Sequence, residues 1–459
     1  MDHSGLFDVT AFGAQPDGTT LCTAAVQAAV DACAAAGGGT VSFPEGDYVL
    51  GTVFLKSGVH IEITEDALLL GSLDFSDYAP HEPVDYPLYQ DASHSFFHTS
   101  LFAALDCRDI GFSGGGRIDM RSVWDEENVR DMAHRGAKCI ALKNCRNVEI
   151  CELDIQNATD LAVYFAGCEE VDIHHLTMRV YIDGISPDNC RGVRIHDCDI
   201  ESGDDGIVFK SSYTLNRPGV CRDIRVWNCN VKSRCNAIKF GTETNGGFED
   251  ILVEDVRIFD VRISGIAIES VDGAVIDGLT LRRIAMVNVN APLFIHLGQR
   301  MRGPAGRGIG AIRNILLEDI SADGPYDEYN VIAWNYDTFK KKDFHQKPWC
   351  FLAPEDSTPD SDWQMTSNVC GLAGHDLESI TLRNVSLWLD GGVKEYVSDV
   401  PDKAPEYPEV YVYGRILPAK GIFFRHINGL TLENVTVKTF RPDVREDLVF
   451  ADVKNLKRG

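Results

Sequence analysis

Three aspartates in two short stretches have the residue type and the spacing that carboxylate chemistry requires. Asp183 begins the stretch Asp-Gly-Ile, and Asp204 and Asp205 form the centre of the following Gly-Asp-Asp-Gly turn. Carboxylates that lie close together repel each other and raise each other's pKa values, so a fold loses stability by grouping them. Such a group indicates a metal site or a proton-transfer reaction. The alternative is an ordinary solvated Gly-Asp turn.

Two chemistries suit three neighbouring carboxylates. Hydrolysis of a glycosidic bond needs one protonated acid for the leaving oxygen and one carboxylate that activates water or attacks carbon. Calcium binding would use the same oxygens as ligands. A lyase that uses bound calcium also needs a basic residue to remove a proton, and the sequence shows none beside this cluster. We therefore favour hydrolysis without a metal or other cofactor.

The elements that must position these aspartates are copies of one short phrase, for which Cys-Arg-Asp-Ile-Arg-Val is typical. Copies recur at roughly 22 to 31 residues where insertions are short, which is a solenoid spacing. Aliphatic and polar residues alternate within each copy, which predicts short half-buried strands. The copies begin at Cys107, Cys145, Cys168, Cys190, Cys221, Phe248, Ala274, Ile312, Leu377 and Ile427.

No residue pattern of helical period lies between the copies. An all-β parallel β-helix therefore fits the repeat better than a leucine-rich horseshoe or a βαβ sheet. The recurrent cysteines, valines and isoleucines are interpreted as core ladders. Near the N-terminus an Ala-rich stretch over about residues 23–36 stops at Gly37 and predicts a helix that caps the open end of the coil.

Composition and charge narrow the class of protein. We interpret residues 1–459 as a single domain with elaborated loops, because no low-complexity linker divides the chain. The formal net charge of −26 argues against nucleic acid and anionic membranes as partners. It also favours short substrates over an acidic polymer.

The start of the chain and the cysteines suggest a compartment. The first residues lack the basic start and apolar core of a secretory signal, so we expect a cytoplasmic protein, although a secreted protein that has lost its signal would look the same. The 14 cysteines are then reduced thiols. The cysteines of the repeat occur singly, without Cys-x-x-Cys pairs, which argues against a structural zinc site.

Four stretches that occur in order along the chain resemble glycoside hydrolase family 28, the polygalacturonases and rhamnogalacturonan hydrolases. They are Phe7-Asp-Val-Thr-Ala-Phe-Gly, the Ala-rich stretch with Gly37-Gly-Gly-Thr-Val-Ser-Phe-Pro, Gly114-Gly-Gly-Arg-Ile-Asp, and the two aspartate stretches. The resemblance implies a right-handed parallel β-helix that hydrolyses pectin with inversion. It also implies that Asp204 is the general acid, while Asp183 and Asp205 hold and deprotonate the attacking water.

The chain departs from the polygalacturonase pattern where those enzymes grip a carboxylate. Their Gly-His-Gly falls on Cys235-Asn236-Ala237, and their Arg-Ile-Lys falls on Ala267-Ile268-Glu269, so both cations are missing. A glutamate in place of lysine would repel a bound carboxylate. We therefore expect a neutral sugar, with rhamnose as the natural candidate, on the leaving-group side.

Several residues are candidates for substrate binding. Glu243 and Glu269 can bond sugar hydroxyls, and each can equally be a solvated turn residue. Cations that can hold an acidic sugar on the other side are Lys210, Lys239, Arg300 and Arg302, with surface lysines as the alternative for the first two. His296 and Arg300 resemble a loop of bacterial, often exo-acting members, although a lone histidine is more often structural.

The segment over about residues 323–376 interrupts the repeat and is rich in aromatic residues. Sugar rings stack on aromatic faces, and such a loop can block one end of a cleft and enforce attack from a chain end. A loop with its own small core or a subunit contact is the alternative. The aromatic residues are Tyr326, Tyr329, Trp334, Tyr336, Trp349 and Trp363.

These observations lead to an inverting, exo-acting hydrolase of pectin-derived, galacturonate-containing oligosaccharides, with the rhamnogalacturonan type as one candidate. Two rivals stay open: a β-helical uronate lyase or epimerase, and a carbohydrate-binding β-helix without activity. The oligomeric state cannot be read from the sequence.

Overall fold

The computed structural model describes residues 5–122, 136–327 and 364–459. Most of the segment predicted as a loop insertion, including all of its aromatic residues except Tyr326, lies outside these ranges. The described chain is built almost entirely of β-strands, as the alternating pattern predicts. It divides into an N-terminal unit, Met1–Ser202 with Thr214–Arg217, and a C-terminal unit, Gly203–Tyr213 with Pro218–Gly459.

The N-terminal unit contains nineteen strands in the described ranges. In chain order they are β1 Leu6–Asp8, β2 Asp17–Leu21, β3 Gly39–Phe43, β4 Gly46–Leu50, β5 Val53–Phe54, β6 Val59–Ile63, β7 Ala67–Gly71, β8 Ser100–Leu105, β9 Arg108–Ser113, β10 Arg117–Asp119, β11 Lys138–Lys143, β12 Arg146–Cys151, β13 Asp154–Gln156, β14 Val163–Ala166, β15 Glu169–His174, β16 Thr177–Val180, β17 Ile185–Asp188, β18 Arg191–His196 and β19 Asp199–Ser202.

The strands of the N-terminal unit pair in parallel, β1 with β3 and β2 with β4, and from β3 onward with strands three places along the chain. Thus β12 pairs with β15 and β15 with β18, so that Val148, Val171 and Val193 lie opposite one another and are all buried. Buried cysteines follow the same ladder, and the backbone N–H of Cys145 points at the Sγ atom of Cys168 over 3.3 Å. The interpretation of these residues as core ladders is confirmed.

The predicted N-terminal helix is present as α1, Thr23–Ala35. Its buried face is formed by Val26, Ala29, Val30 and Cys33. The chain leaves the helix at Gly37, whose φ of +97° lies in the left-handed region that glycine adopts without strain. The remaining helical segments are short: α2 is Ala92–Ser95, and two 3-10 turns span Val9–Phe12 and Phe75–Asp77.

Twelve strands of the C-terminal unit follow in the described ranges. They are β20 Ile207–Ser211, β21 Val220–Trp227, β22 Asn230–Ser233, β23 Asn236–Thr244, β24 Gly247–Ser270, β25 Val275–Leu297, β26 Ala311–Asp323, β27 Ser367–Cys370, β28 Leu377–Gly391, β29 Ala419–Arg441, β30 Glu446–Lys454 and β31 Lys457–Arg458.

The strands of the C-terminal unit also pair in parallel. Strand β20 pairs with β23, β23 with β24, and β24 with β25 along most of its length. Between β28 and β29 the 392–418 segment contains no strand. It packs onto the sheet through Val410, which joins a buried cluster with Cys235, Ala267 and Phe294.

Neither helix of the described ranges has the length and apolar character that a membrane-spanning helix needs.

Candidate active site

Asp183 lies in the N-terminal unit, in the turn between β16 and β17, and its side chain is buried. The turn is held to the preceding rung by its backbone, because the carbonyl of Asp183 accepts a hydrogen bond of 3.0 Å from the N–H of Ala162. The neighbouring carbonyl of Gly184 accepts one of 3.1 Å from Val163. The aspartate is therefore positioned by parallel pairing.

Asp204 and Asp205 occupy the turn that leads into β20, at the start of the C-terminal unit. The Ser233 hydroxyl donates to the backbone carbonyl of Asp204, and the Gly206 N–H donates to the carbonyl of Asn236 over 2.9 Å. The turn is thus fixed by the next rung, between β22 and β23. Asp204 remains partly exposed, whereas Asp205 is buried.

The carboxylate of Asp205 is held at both oxygens. Its Oδ1 atom accepts hydrogen bonds from the backbone N–H of Asn236 over 3.2 Å and from the Asn236 side-chain amide over 2.9 Å. Its Oδ2 atom lies 3.3 Å from the Nζ atom of Lys239. Charge-assisted contacts of this kind orient a carboxylate strongly when water is excluded. Asp205 is therefore preorganised, while its neighbour Asp204 is partly open to solvent.

Lys239 lies at the centre of a buried cluster of carboxyl groups. Besides Asp205, its Nζ atom lies 3.5 Å from Oε1 of Glu409 and 3.9 Å from Oε1 of Glu269. Glu269 reaches Lys239 because Ala267 of β24 pairs with Lys239, and residue 269 projects from the same face two positions later. Gly241 leaves room for it, since a Cβ atom there would come within 2.9 Å of the Glu269 carboxylate.

Burial decides which groups of this cluster are charged. Burial raises the pKa of Glu269 well above its ordinary value and also raises the pKa of Glu409. For Lys239 burial opposes the charge, but the nearby carboxylates of Asp205, Glu269 and Glu409 outweigh it and raise the pKa of the ammonium. The shifts thus favour the protonated form of the two glutamates and the charged form of Lys239.

The other predicted cations are also paired inside the protein. Lys210 lies 3.4 Å from Glu243, and Arg300 lies 3.8 Å from the same carboxylate. Arg300 also donates to Asp272 over 3.0 Å and to the carbonyl of Thr242 over 3.0 Å. These two cations are oriented by internal acids, so a substrate carboxylate would have to compete for them.

Arg302 differs from these cations because it is exposed. Its backbone N–H donates to Asp272 over 2.8 Å, which anchors the chain and leaves the side chain at the surface.

His296 is fully buried, and its surroundings are those of a structural residue. Its ring lies 5.6 Å from that of Phe294, and its Nδ1 atom lies 3.0 Å from the hydroxyl of Tyr413. Burial, with a smaller effect of the Arg425 charge, lowers the pKa of His296 to about 3. The imidazole is therefore neutral near pH 7, and no atom of it is accessible to a substrate in this conformation.

Two residues of the 392–418 segment join the site, and neither is among the residues that the sequence pattern indicates. Glu409 pairs with Lys239, and Tyr407 places its hydroxyl 3.2 Å from that of Thr242 and its ring 5.9 Å from the Arg300 guanidinium. The ring of Tyr407 is 58% exposed, so its aromatic face is available to a ligand. The sequence does indicate an extra segment here, because fifty residues separate the copies that begin at Leu377 and Ile427. These two residues pair directly, so the residues between them include an insertion.

The sequence indicates Asn236 only as the position of a lost histidine. The structure shows that both its backbone N–H and its side-chain amide bind Asp205, so the position still serves the carboxylates. Lys239 also supplies the positive charge that a divalent cation beside Asp205 would otherwise supply. This arrangement disfavours calcium binding at that oxygen.

Two further groups bring metal-ligating atoms within 4.8 Å of one another. Glu149, Cys151 and His174 do so in the N-terminal unit, and Asp376, His426 and Asp452 in the C-terminal unit. Contacts between the side chains account for much of both groups, since His174 approaches Glu149 at 3.6 Å and His426 approaches Asp452 at 2.7 Å.

Comparison with known proteins identifies relatives of this chain. It is 29% identical over 260 residues to a probable polygalacturonase of Vitis vinifera, covering 53% of this chain and 52% of that protein. It is 24% identical over 304 residues to an exo-poly-alpha-D-galacturonosidase of Dickeya chrysanthemi, covering 54% and 49%. The chain thus spans about half the length of the curated relatives it matches.

The fold is also found among solved structures. The exopolygalacturonase of Thermotoga maritima superposes with a TM-score of 0.70 at 17% identity, over 95% of this chain and 92% of that one. The family model described as glycosyl hydrolases family 28 matches residues 33–331, which include all three aspartates. On this evidence the chain belongs to glycosyl hydrolases family 28.

Proposed function

We propose that this protein is an inverting glycoside hydrolase that removes sugars from the ends of galacturonate-containing oligosaccharides derived from pectin. The observation that carries the proposal is the contrast between the two adjacent aspartates. Asp204 is partly exposed, whereas Asp205 is buried and bound to Lys239 and Asn236. Two carboxyl groups in contrasting environments are the usual means of separating an acid role from a base role.

In the proposed reaction Asp204 protonates the leaving oxygen. Asp205, together with Asp183, holds a water molecule and removes its proton as the water attacks the anomeric carbon. The proton of Asp204 thus goes to the leaving sugar and the water supplies the new hydroxyl, with inversion at the carbon. The assignment of Asp183 comes from the sequence resemblance.

The names of the relatives support galacturonate as a substrate and attack from a chain end, because the Dickeya protein is an exo-poly-alpha-D-galacturonosidase. A neutral sugar such as rhamnose on the leaving-group side agrees with the internal pairing of the cations. Lys210, Lys239 and Arg300 face more carboxyl groups than they can neutralise. A second uronate there would have to compete with these internal acids for the cations.

We further propose that the described strands of each unit form a right-handed parallel β-helix, with α1 covering the first rung of the N-terminal unit. Parallel pairing within each unit and the buried face of α1 support this arrangement. An uncovered first rung would leave strand edges unpaired.

Product analysis tests the proposed function. The purified protein is incubated with oligogalacturonides and with rhamnogalacturonan oligosaccharides, and the anomeric configuration of the first product is followed by proton NMR. We expect release of a terminal sugar with inverted configuration, and Asp204→Asn should lower kcat by about 10²- to 10⁴-fold. Asp250→Asn, at an exposed aspartate of the same unit, is the matched control.

Three outcomes would overturn the proposal. Near-normal hydrolysis by Asp204→Asn would remove the assigned acid, and a retained configuration would exclude the single displacement. An ultraviolet-absorbing unsaturated product would identify a lyase instead.

A further inference from the structure

The cluster around Lys239 contains more acid than base. Its Nζ atom is approached by Asp205, Glu269 and Glu409, which come from the turn before β20, from β24 and from the 392–418 segment. Tyr407 also acts on Lys239, and the guanidinium of Arg300 acts on Glu269. All three carboxyl groups and the ammonium are more than 90% buried. One positive charge beside three negative charges is costly under these conditions.

Hydrogen bonding within the cluster indicates how the charge is balanced. Neither oxygen of Glu269 has a hydrogen-bond partner among the described residues, and neither does Oε2 of Glu409. Asp205, in contrast, accepts bonds at Oδ1 from Asn236 and faces the ammonium at Oδ2. An ionised carboxylate needs such partners when it is buried, whereas a protonated carboxyl group needs fewer.

The neutral arrangement of the cluster therefore has one ion pair. Lys239 carries the positive charge, Asp205 carries the negative charge, and the carboxyl groups of Glu269 and Glu409 are protonated. The direction of the pKa shifts of the two glutamates agrees, because burial raises both.

We propose that Lys239 is a positioning residue for hydrolysis, which holds the carboxylate of Asp205 in a fixed orientation, and that Glu269 and Glu409 hold the ammonium against Asp205. This inference rests on the proposed function, in which Asp205 accepts the proton of the attacking water. Lys239 itself touches neither water nor sugar. The same pairing gives Glu269, which lies where the polygalacturonases have a lysine and is fully buried, a role inside the protein.

Kinetics of Lys239 variants test the catalytic part. Lys239→Met should lower kcat about 100-fold with KM changed less than about threefold, because a base that is displaced or protonated slows the chemical step. Lys239→Arg, which keeps the charge, should recover part of the rate. Lys232→Met is the matched control, because Lys232 forms a partly exposed ion pair with Asp260 in the same unit.

Unfolding measurements test the ion pair without reference to activity. Chemical denaturation at pH 5 and pH 8 is compared for the wild type, Lys239→Met and the double variant Lys239→Met/Glu409→Gln. Lys239→Met should lose more stability between pH 5 and pH 8 than the wild type, because three buried carboxyl groups then lack a cation. The double variant should lose less, because one of those acids is gone.

The outcomes separate this inference from the proposed function. If the wild type cleaves no oligosaccharide, the proposed function fails and the catalytic role fails with it, while the unfolding measurements still decide whether the ion pair exists. If the wild type is active and Lys239→Met keeps kcat within threefold, the positioning role is wrong. If Lys239→Met and the wild type lose stability in parallel between pH 5 and pH 8, the ion pair is wrong.

Discussion

The Nζ atom of Lys239 lies 3.3 Å from Oδ2 of Asp205, and the Oδ1 atom of the same carboxylate is bound twice by Asn236. This carboxylate is thus oriented by a cation and an amide that lie three residues apart on β23. One of the two hydrogen bonds from Asn236 to Asp205 comes from its backbone N–H, and the other comes from its side-chain amide. This site and the buried residues around it lead to four predictions.

Asn236→Ala should lower kcat about tenfold while KM changes little, because it removes one of the two hydrogen bonds that orient Asp205. Asn236→Asp should cost more, because it places a second negative charge beside Asp205. Steady-state kinetics on the cleaved oligosaccharide measure both effects. Asn314→Ala, which removes an exposed asparagine bonded to Asp277, is the control. Equal rates for Asn236→Asp and the wild type would show that Asp205 does not act as a carboxylate.

Tyr407→Ala should raise KM about tenfold and leave kcat within about threefold, because the exposed ring offers a stacking face for a sugar beside Arg300. Tyr407→Phe, which keeps the ring, should stay close to the wild type. Tyr396→Ala removes another exposed tyrosine of the 392–418 segment and serves as the control. An unchanged KM for Tyr407→Ala would place the sugar elsewhere.

Glu269→Gln should make the protein less sensitive to rising pH. The folded-state pKa of Glu269 lies well above its ordinary value of 4.5, so the folded protein binds this proton more tightly than the unfolded chain. The resulting stability is fully present below about pH 4.5 and is lost as pH rises through the folded-state pKa. Denaturation at pH 4, 6 and 8 should therefore show a smaller decline for Glu269→Gln than for the wild type. Parallel declines would mean that Glu269 is ionised in the fold.

His296→Gln should make the stability of the protein less sensitive to falling pH. The pKa of His296 is lowered from 6.5 to about 3, so the unfolded chain binds a proton that the folded protein refuses. The stability gained is present above about pH 6.5 and declines as pH falls toward 3, by roughly 3 kcal/mol between pH 6.5 and pH 4. The variant should lack this part of the acid sensitivity, as denaturant titrations would show. If both proteins lose stability equally over this range, His296 is accessible to protons in the fold.

The local pattern of the sequence is sufficient for the strands and the first helix. Alternation within each copy depends on neighbouring residues, so the repeat by itself assigns Val148, Val171 and Val193 to one ladder, as their pairing confirms. The helix Thr23–Ala35 follows from an Ala-rich stretch that ends at glycine, which is again local information. The pair Asp204 and Asp205 is likewise visible as one turn.

The tertiary structure decides which charges meet. Lys210, Lys239 and Arg300 are recognisable in the sequence as cations, but their partners Glu243, Glu409 and Asp272 depend on strand register and on a segment that folds back. Glu409 reaches Lys239 from 170 positions away in the chain. Local propensities do not encode such a contact, because it arises only when the 392–418 segment buries Val410 against the sheet. Family and reaction class can therefore be inferred from the sequence, whereas the internal neutralisation of the cations becomes visible only in the fold.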